Sequence, residues 1–192
     1  MAAIKAICTL QSISPISFSR HYELPHLDKE LPDEYEKRTW RERLHYDKNT
    51  LECYIPPIMF KHCLSAAAQY LSMQIKSKGK ATYTKHFLAG ILVTDSLMLG
   101  IHKDEVEGVP LFVSSNGKPG GPRVTKYFPE ISQWKGQVPF YVLDPIITKD
   151  VFRDHLIQAG NFIGLGRFRP RNGGYYGRFT VEDVKWDVNG KK

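Results

Sequence analysis

The chain has 192 residues, a formal net charge of +7 and a 42% share of hydrophobic residues. This length suits one domain that buries a core without help from disulfides or metal ions. The composition is that of a globular protein, which excludes a disordered chain, a collagen and a coiled-coil rod. The basic balance favours an anionic partner, such as nucleic acid, an anionic membrane surface or an acidic protein.

The three cysteines lie at irregular spacing and form neither a CxxC motif nor a disulfide framework. We expect Cys8, Cys53 and Cys63 to be small apolar residues in a reducing compartment. No set of Cys and His residues has zinc-ligand spacing, so the sequence predicts neither a metal nor a cofactor. The longest apolar stretch, residues 87–101, is interrupted and too short to cross a bilayer, and the N-terminus lacks signal-peptide features. These patterns predict a cytoplasmic protein without a membrane partner.

The first half of the chain predicts a strand, a charged segment, a second strand and a long helix. Residues 4–18 alternate loosely between apolar and polar, which is typical of a strand. Residues 20–48 carry eight acidic and seven basic residues, so we expect a solvated loop or short surface helix that buries little. Residues 51–55 suit a strand. Apolar positions then recur every three or four residues, which predicts a helix over residues 58–76 that begins after two prolines.

The middle of the chain predicts loops and short strands. Residues 76–86 hold four lysines and no acid, and the following residues 87–101 suit apolar strands around a turn. Residues 114–123 are rich in Gly, Pro, Asn and Ser and predict a loop. Residues 138–143 suit another strand.

The last third predicts one helix and one strand. Thr148 suits the N-cap of a helix, and Gly160 is a natural position for its end. Residues 178–188 alternate enough to form a final strand. The order strand, helix, several strands, helix, strand predicts an α+β protein with a ferredoxin-like, RRM-type βαββαβ core and an antiparallel sheet.

A glycine-rich segment, GLGRFRPRNGGYYGR over residues 164–178, contains five glycines, four arginines, three aromatic residues and no acid. Glycines allow exposed amides to cradle phosphate oxygens, arginines match phosphate, and aromatic rings stack on bases. The segment therefore predicts a nucleic-acid contact; the alternative is a glycine-rich hairpin with solvated arginines. It matches neither the dinucleotide-binding fingerprint nor a P-loop.

Basic residues cluster in three further places. One cluster is the lysine segment 76–86, and another comprises Lys118, Arg123 and Lys126. Lys61 and His62 open the first long helix, where a phosphate could bind. A solvated surface is the alternative interpretation of each cluster.

Catalytic signatures are sparse. The chain has no GxSxG motif, no HExxH motif and no metal-binding carboxylate cluster. His155 lies on the apolar face of the second predicted helix and is expected to be a core histidine. The sequence therefore predicts no catalytic residue and no enzyme.

Three segments, in order, resemble the RAMP superfamily, the RNA-binding proteins of CRISPR effector complexes. IKAICTLQSISPISFSR is similar to the family's first strand and its ending, and YIPPIMFKHCLSAAAQYL is similar to the start of its first helix. GLGRFRPRNGGYYGRF resembles the glycine-rich loop that is the family signature. With 192 residues the chain is short for a backbone subunit of this family, which is compatible with a minimal or virus-encoded member.

The resemblance implies a ferredoxin-like core and sequence-independent RNA binding by a non-catalytic subunit. The most similar subgroup is the backbone subunits that polymerise along guide RNA. We therefore expect one RAMP-like domain over residues 1–192, with insertions at 20–48 and 76–126. The expected partners are single-stranded RNA, further copies of this chain and other effector subunits.

The residues and the resemblance together predict a set of RNA contacts that combines the basic clusters with the glycine-rich loop. They are Arg20, Lys61, His62, Lys78, Lys80, Lys85, Arg123, Lys126, Gly164, Gly166, Arg167, Phe168, Arg169, Arg171, Gly173, Gly174, Tyr176 and Arg178.

Two alternative functions stay open. Some RAMP proteins are metal-independent endoribonucleases, in which case His21, His26 or His45 would act as general base on a ribose 2′-OH. The other alternative is a virus-encoded RAMP-like inhibitor or decoy that docks on a CRISPR complex.

Overall fold

The computed structural model describes residues 3–114 and 120–187. The strands are β1 (Ile4–Ser12), β2 (Ile16–Ser17), β3 (Glu52–Ile55), β4 (Ile91–Val93), β5 (Leu97–His102), β6 (Glu107–Ser114), β7 (Arg123–Ile131), β8 (Lys135–Val142) and β9 (Phe179–Asp187). The α-helices are α1 (Pro32–Thr39), α2 (Pro57–Leu71), α3 (Thr84–Gly90) and α4 (Lys149–Gln158). No helix in these ranges is long and apolar enough to cross a membrane.

A four-stranded antiparallel sheet with the order β4-β8-β1-β9 forms the centre of the fold. Helix α2 connects β1 to β4, and helix α4 connects β8 to β9, so the core runs β1-α2-β4-β8-α4-β9. This is the ferredoxin-like βαββαβ arrangement, and it confirms the predicted fold class. Strand β1 is central because it pairs with β8 on one side and with β9 on the other, and Ala6, Cys8 and Leu10 are fully buried on one of its faces.

Aromatic side chains join the two core helices to the sheet. The ring of Phe140 on β8 contacts Phe60 of α2 at 6.4 Å and Phe152 of α4 at 5.4 Å between centroids. His155 is fully buried and stacks on Phe87 at 4.1 Å, which confirms the expected core histidine. The core therefore lies between one face of the sheet and the helices α2 and α4.

The three cysteines are buried free thiols, as expected. Burial raises the pKa of Cys8 and Cys63 to about 12. Both thiols therefore stay protonated at neutral pH and act as apolar packing groups.

Helix α2 is shorter than predicted, and an unpredicted helix follows it. The chain leaves α2 at Ser72, which has a positive φ of 45° and whose hydroxyl donates to the carbonyl of Gln69. Residues 84–90, expected as loop and strand, form α3, which packs against α2. Thr84 joins the two helices by donating to the carbonyl of Ala68 at 3.0 Å.

Helix α4 begins where predicted but does not end at Gly160. The Thr148 hydroxyl accepts a hydrogen bond from the Val151 amide at 3.4 Å and caps the helix. A π-helical turn, Ala159–Ile163, then continues it to Gly164, which has φ +72°. Gly160 is required for packing, because a side chain there would clash with the carbonyl oxygen of Phe179 on β9.

Strands β6 and β7 form a long antiparallel hairpin that the sequence analysis did not predict. Pro110 and Pro129 interrupt the strand pattern, since proline lacks a backbone N–H. The hairpin joins the rest of the protein through β2, which pairs with the end of β7. Of the predicted loop 114–123, residues 115–119, including Lys118, lie outside the described residues.

The charged segment 20–48 buries more than expected. It forms α1 and a 3-10 turn, Trp40–Arg43, which pack against β7 and bury Trp40. Two hydrogen bonds of 2.7 and 3.0 Å join the Arg43 guanidinium to the Glu36 carboxylate. Arg43 also donates to the Tyr127 carbonyl at 2.9 Å, and the Tyr127 amide donates to Glu36 at 2.7 Å. The prediction of little burial was wrong because opposite charges neutralise each other inside this interface.

Glu36→Gln is expected to lower the free energy of unfolding by about 3 kcal/mol, because it leaves the buried Arg43 charge without a countercharge. Chemical denaturation followed by circular dichroism measures this change. The matched control is Glu182→Gln, which breaks the exposed 2.6 Å pair with Lys135 and is expected to cost less than about 1 kcal/mol. Equal costs for the two variants would contradict the role of the buried pair.

Candidate nucleic-acid interface

The glycine-rich loop, residues 164–178, wraps around the connection between β1 and β2. The Gly177 amide donates to the Pro15 carbonyl at 2.7 Å, and the Arg167 amide donates to the Ser17 carbonyl at 2.8 Å. The Ser14 hydroxyl donates to the Tyr175 carbonyl at 2.7 Å and accepts from the amide of Arg178. These bonds fix the loop where β1 ends and β9 begins.

Four of the five loop glycines, namely Gly164, Gly173, Gly174 and Gly177, use their amides in hydrogen bonds within the protein. The amides of Gly164, Gly173 and Gly174 all donate to carbonyl groups of the protein at 2.9–3.1 Å. Gly166 has φ +74°, and a side chain there would clash with the Ser17 carbonyl oxygen. Amides already bonded within the protein are not available to an anion, which corrects the expected phosphate cradle at Gly164, Gly173 and Gly174.

Three arginines from two parts of the chain meet in one cleft of about 510 Å³, which we call the arginine cleft. Arg20 follows β2, whereas Arg167 and Arg169 come from the glycine-rich loop. His45 and Phe168 also line this cleft. No acidic side chain of the described residues lines it. Glu42, outside the lining, lies 3.6 Å from the Arg20 guanidinium and partly balances that one charge, whereas Arg167 and Arg169 have no carboxylate partner among the described residues.

The two loop arginines keep unsatisfied donors in this cleft. The guanidinium carbon of Arg167 lies 3.3 Å from the ring centroid of Phe128 and 3.9 Å from that of Phe168. Burial, together with the nearby charge of Arg43, lowers the pKa of Arg167 to about 10, so it stays positive at neutral pH. Arg167 Nη1 and Arg169 Nε are buried and have no hydrogen-bond partner in the described part of the chain. A buried donor without a partner is unfavourable, and a small shift of either side chain toward the cleft would let an acceptor such as a phosphate satisfy it.

Contacts with Glu42 and Tyr46 fix the position of the Arg20 side chain. Its Nε donates to the Glu42 carbonyl at 3.1 Å, and its guanidinium lies 5.1 Å from the ring centroid of Tyr46. The Glu42 carboxylate is also bound by Lys103 at 2.6 Å. A charge held by neighbouring groups loses less conformational entropy when it binds a ligand.

The hairpin residues lie at different distances from the arginine cleft. Lys126 lines a neighbouring cleft of about 550 Å³ that shares Ser19 and Arg20 with the arginine cleft. Arg123 lies at the far end of β7, where it donates to the Phe112 carbonyl at 3.1 Å and packs over the Phe112 ring. The structure therefore places Lys126, but not Arg123, next to the arginine cleft.

Lys61 has a structural role instead of the predicted RNA contact. Its ammonium group donates to the Ser65 hydroxyl at 2.9 Å and to the carbonyls of Phe87 and Leu88, each at 2.8 Å. All three N–H donors are thus used, and they cap the last turn of α3. Its neighbour His62 is exposed on α2.

The lysine cluster lies at the opposite end of the sheet. Lys78, Lys80 and Lys85 are exposed, and the adjacent His86 bonds Asp144 at 2.6 Å. Asp144 lies two residues after β8, whose last residue pairs with the first residue of β1, whereas the glycine-rich loop lies where β1 ends. The nine residues of β1 separate the two regions by roughly 30 Å. The structure does not bring these lysines to the arginine cleft.

Tyr176 is buried, contrary to the expected base contact. It is 8% exposed, and burial together with a hydrogen bond to Glu130 raises the pKa of its hydroxyl. Its neighbour Tyr175 is 55% exposed and stacks on Tyr176 at 4.4 Å. The predicted contacts included Tyr176 and not Tyr175, because two adjacent tyrosines in the sequence do not show which ring faces solvent.

Phe128 was missed by the sequence analysis although it packs directly on Arg167. It lies on β7, within the unpredicted hairpin, far from Arg167 in the chain. Because this contact depends on tertiary structure, no local pattern indicates it.

The fold is similar to that of a chain in the cryo-EM structure of the Type III-B Cmr-beta bound to cognate target RNA. The TM-score is 0.57 at 13% identity, and the match covers 96% of this chain and 61% of that chain. The crystal structure of Cmr6 from Pyrococcus furiosus matches with a TM-score of 0.48 at 12% identity, over 94% of this chain and 100% of that one. No protein-family model matches the chain, and no curated protein matches it by sequence. The first likeness shows a shared fold, and this chain spans about three fifths of its length.

Gly177→Ala is expected to lower the free energy of unfolding by at least about 2 kcal/mol, because Gly177 has φ +73° and a side chain would clash with the Leu165 backbone. The matched control is Gly173→Ala. Gly173 has φ +77° but open space around it, so the expected cost is about 1 kcal/mol. Thermal unfolding compares the two, and equal destabilisation would contradict the packing role of Gly177.

Proposed function

We propose that this chain is an RNA-binding member of the RAMP superfamily. In this proposal it is a non-catalytic subunit that assembles along guide RNA in a CRISPR-effector-like complex. The observation that carries the proposal is the arginine cleft, with three guanidinium groups, no acidic lining among the described residues and two unpartnered nitrogens. The fold shared with a chain of the RNA-bound Cmr-beta structure supports it.

Arg20, Arg167 and Arg169 hold consecutive phosphates of a single strand. A guanidinium group donates two parallel hydrogen bonds to a phosphate, and it does so equally for all four nucleotides. The half-exposed ring of Phe168 at the same cleft offers a stacking face that also accepts any base. Binding is therefore largely independent of sequence.

Assembly along RNA needs contacts between neighbouring subunits. The hairpin of β6 and β7 supports this part of the proposal. It lies outside the ferredoxin-like core, in a separate three-stranded sheet with the order β2-β7-β6. Phe112 on this hairpin is 62% exposed, which suits a contact with another protein surface. The partner is a second copy of the chain or another effector subunit.

Replacing Arg20, Arg167 and Arg169 together by Gln is expected to weaken binding of single-stranded RNA by at least about 100-fold. The slope of log affinity against log salt concentration should fall by about 2, because three phosphate contacts to a single strand are lost. Fluorescence anisotropy with a labelled RNA at several salt concentrations measures both quantities.

The control removes three exposed charges elsewhere, through Lys37→Gln, Lys149→Gln and Arg153→Gln. A similar loss of affinity in this control would assign binding to net charge instead of the arginine cleft. Light scattering before and after RNase treatment tests assembly on the same samples. We expect the wild-type chain to form a large species that RNase treatment dissociates. The arginine-cleft variant is expected not to form this species.

The position of His45 in the arginine cleft supports a second candidate function, that of a metal-independent endoribonuclease. The His45 imidazole lines the arginine cleft beside Arg20 and Arg167. Burial, together with the charge of Arg20, lowers the pKa of His45, so the ring is neutral at neutral pH and able to accept a proton. As general base it takes the proton of a ribose 2′-OH, whose oxygen then attacks the adjacent phosphate and releases the 5′-oxygen of the next nucleotide.

If this second function operates, His45→Ala abolishes RNA cleavage, whereas His21→Ala and His26→Ala retain it. Cleavage persists in chelator, and a 2′-deoxy substitution at the cut site blocks it. Because the neutral form of His45 is the active base and its pKa is lowered, the rate stays full at neutral pH and falls only in acid. Gel analysis of labelled RNA measures cleavage, and intact RNA with the wild-type chain would exclude this function.

A further inference from the structure

A second cleft lies beside the glycine-rich loop and shares no residue with the arginine cleft. It has a volume of about 270 Å³ and is lined by Tyr70, Phe162, Ile163, Pro170, Arg171 and Arg178. We call it the aromatic cleft. Its walls come from α2, from the π-helical turn after α4 and from the glycine-rich loop.

Two exposed aromatic rings stand side by side in this cleft. Tyr70, in the last turn of α2, is 64% exposed, and Phe162 is 47% exposed. Their ring centroids are 5.7 Å apart and their planes are tilted by 30°. Neither ring belongs to the core, so their solvent-facing surfaces are free to bind a flat apolar ligand.

The π-helical turn determines where Phe162 lies. Gly160 packs against the backbone of Phe179, and Ile163 is 1% exposed in the core. Phe162, between these two anchored positions, projects outward toward Tyr70. Single π-helical turns inside helices occur frequently at functional sites.

The charged residues of the aromatic cleft are both arginines. Arg171 is exposed and forms no ion pair with any carboxylate of the described residues. Arg178 is anchored through Nη1 to the Asn161 carbonyl. No acidic residue within the described ranges lines the cleft. A stacking surface flanked by guanidinium groups matches a nucleotide, with its flat base and its anionic phosphate.

The size and position of the aromatic cleft favour one base of a longer strand. Its volume lies just below the range of about 300–1,000 Å³ that is typical of small-molecule pockets. Arg169 lines the arginine cleft, and the next residue, Pro170, lines the aromatic cleft. The two clefts therefore adjoin at this point of the loop, where a strand bound in one cleft would cross to reach the other.

We propose that the aromatic cleft binds a single base of a single-stranded nucleic acid, which stacks on Tyr70 or Phe162 while Arg171 and Arg178 hold the flanking phosphates. This inference rests on the proposed function, because the strand is the RNA held in the arginine cleft. It adds a stacking site on the helical side of the protein and a path for the strand across the glycine-rich loop.

Photocrosslinking tests the site directly. Single-stranded RNA that carries 5-iodouridine crosslinks to aromatic side chains on which the base stacks. Irradiation of the full chain with this RNA, followed by mass spectrometry of the peptides, is expected to place adducts on Tyr70 or Phe162. Adducts found only outside the aromatic cleft would overturn the proposal.

Affinity measurements separate stacking from charge. Tyr70→Ala with Phe162→Ala is expected to weaken RNA binding by about 10-fold or more, whereas the salt slope stays unchanged because no phosphate contact is lost. Tyr70→Phe with Phe162→Tyr keeps both rings and should bind like the wild type. The matched control is Leu31→Ala with Met98→Ala, which removes two exposed apolar side chains elsewhere.

The outcomes distinguish this inference from the proposed function. Wild-type affinity in the Tyr70→Ala, Phe162→Ala variant, together with loss of affinity in the arginine-cleft variant, overturns the aromatic cleft alone. A wild-type chain that binds no single-stranded RNA overturns both. Thermal unfolding of each variant confirms that these exposed substitutions leave the fold intact.

Discussion

Backbone hydrogen bonds between the glycine-rich loop and the connection from β1 to β2 hold the candidate interface together. They bind residues 164–178 to residues 14–17, at the end of the sheet where β1 ends and β9 begins. The glycines make this approach possible, because Gly166 and Gly177 bring their backbones close to other carbonyl groups. The loop arginines are thereby placed in two clefts, whose other walls include residues 18–20 after β2, helix α2 and the π-helical turn.

The local features of the fold could be predicted from the sequence, because they depend on neighbouring residues. The period of apolar residues indicated α2, and Thr148 marked the start of α4. Gly160 misled the prediction because its role is contact with β9, which only the tertiary structure brings close. The β6–β7 hairpin was missed because its two strands contain prolines and pair mainly with each other.

The sequence could predict that the candidate site binds anions, but it could not predict which basic residues lie together in it. Clusters of arginine and glycine indicated an anion-binding loop, and the structure does place Arg167 and Arg169 in a cleft with Arg20. Lys61 and the lysine segment 76–86 have the same charge but different surroundings, namely the end of a helix and the far end of the sheet. Charge alone therefore could not select among them, since position depends on the sheet topology.

Phe128 gives the cleft an energetic connection to the hairpin. The ring of Phe128 packs on the Arg167 guanidinium, and its centroid lies 5.1 Å from the Arg43 guanidinium. Arg43 in turn forms the buried ion pair with Glu36. A ligand that needs this arrangement of Arg167 binds better when β7 is docked than when it is locally detached. By thermodynamic linkage, an anion bound to Arg167 must slow amide hydrogen exchange in β7. In the same way, a hairpin that detaches more easily must lower the affinity of Arg167 for the anion.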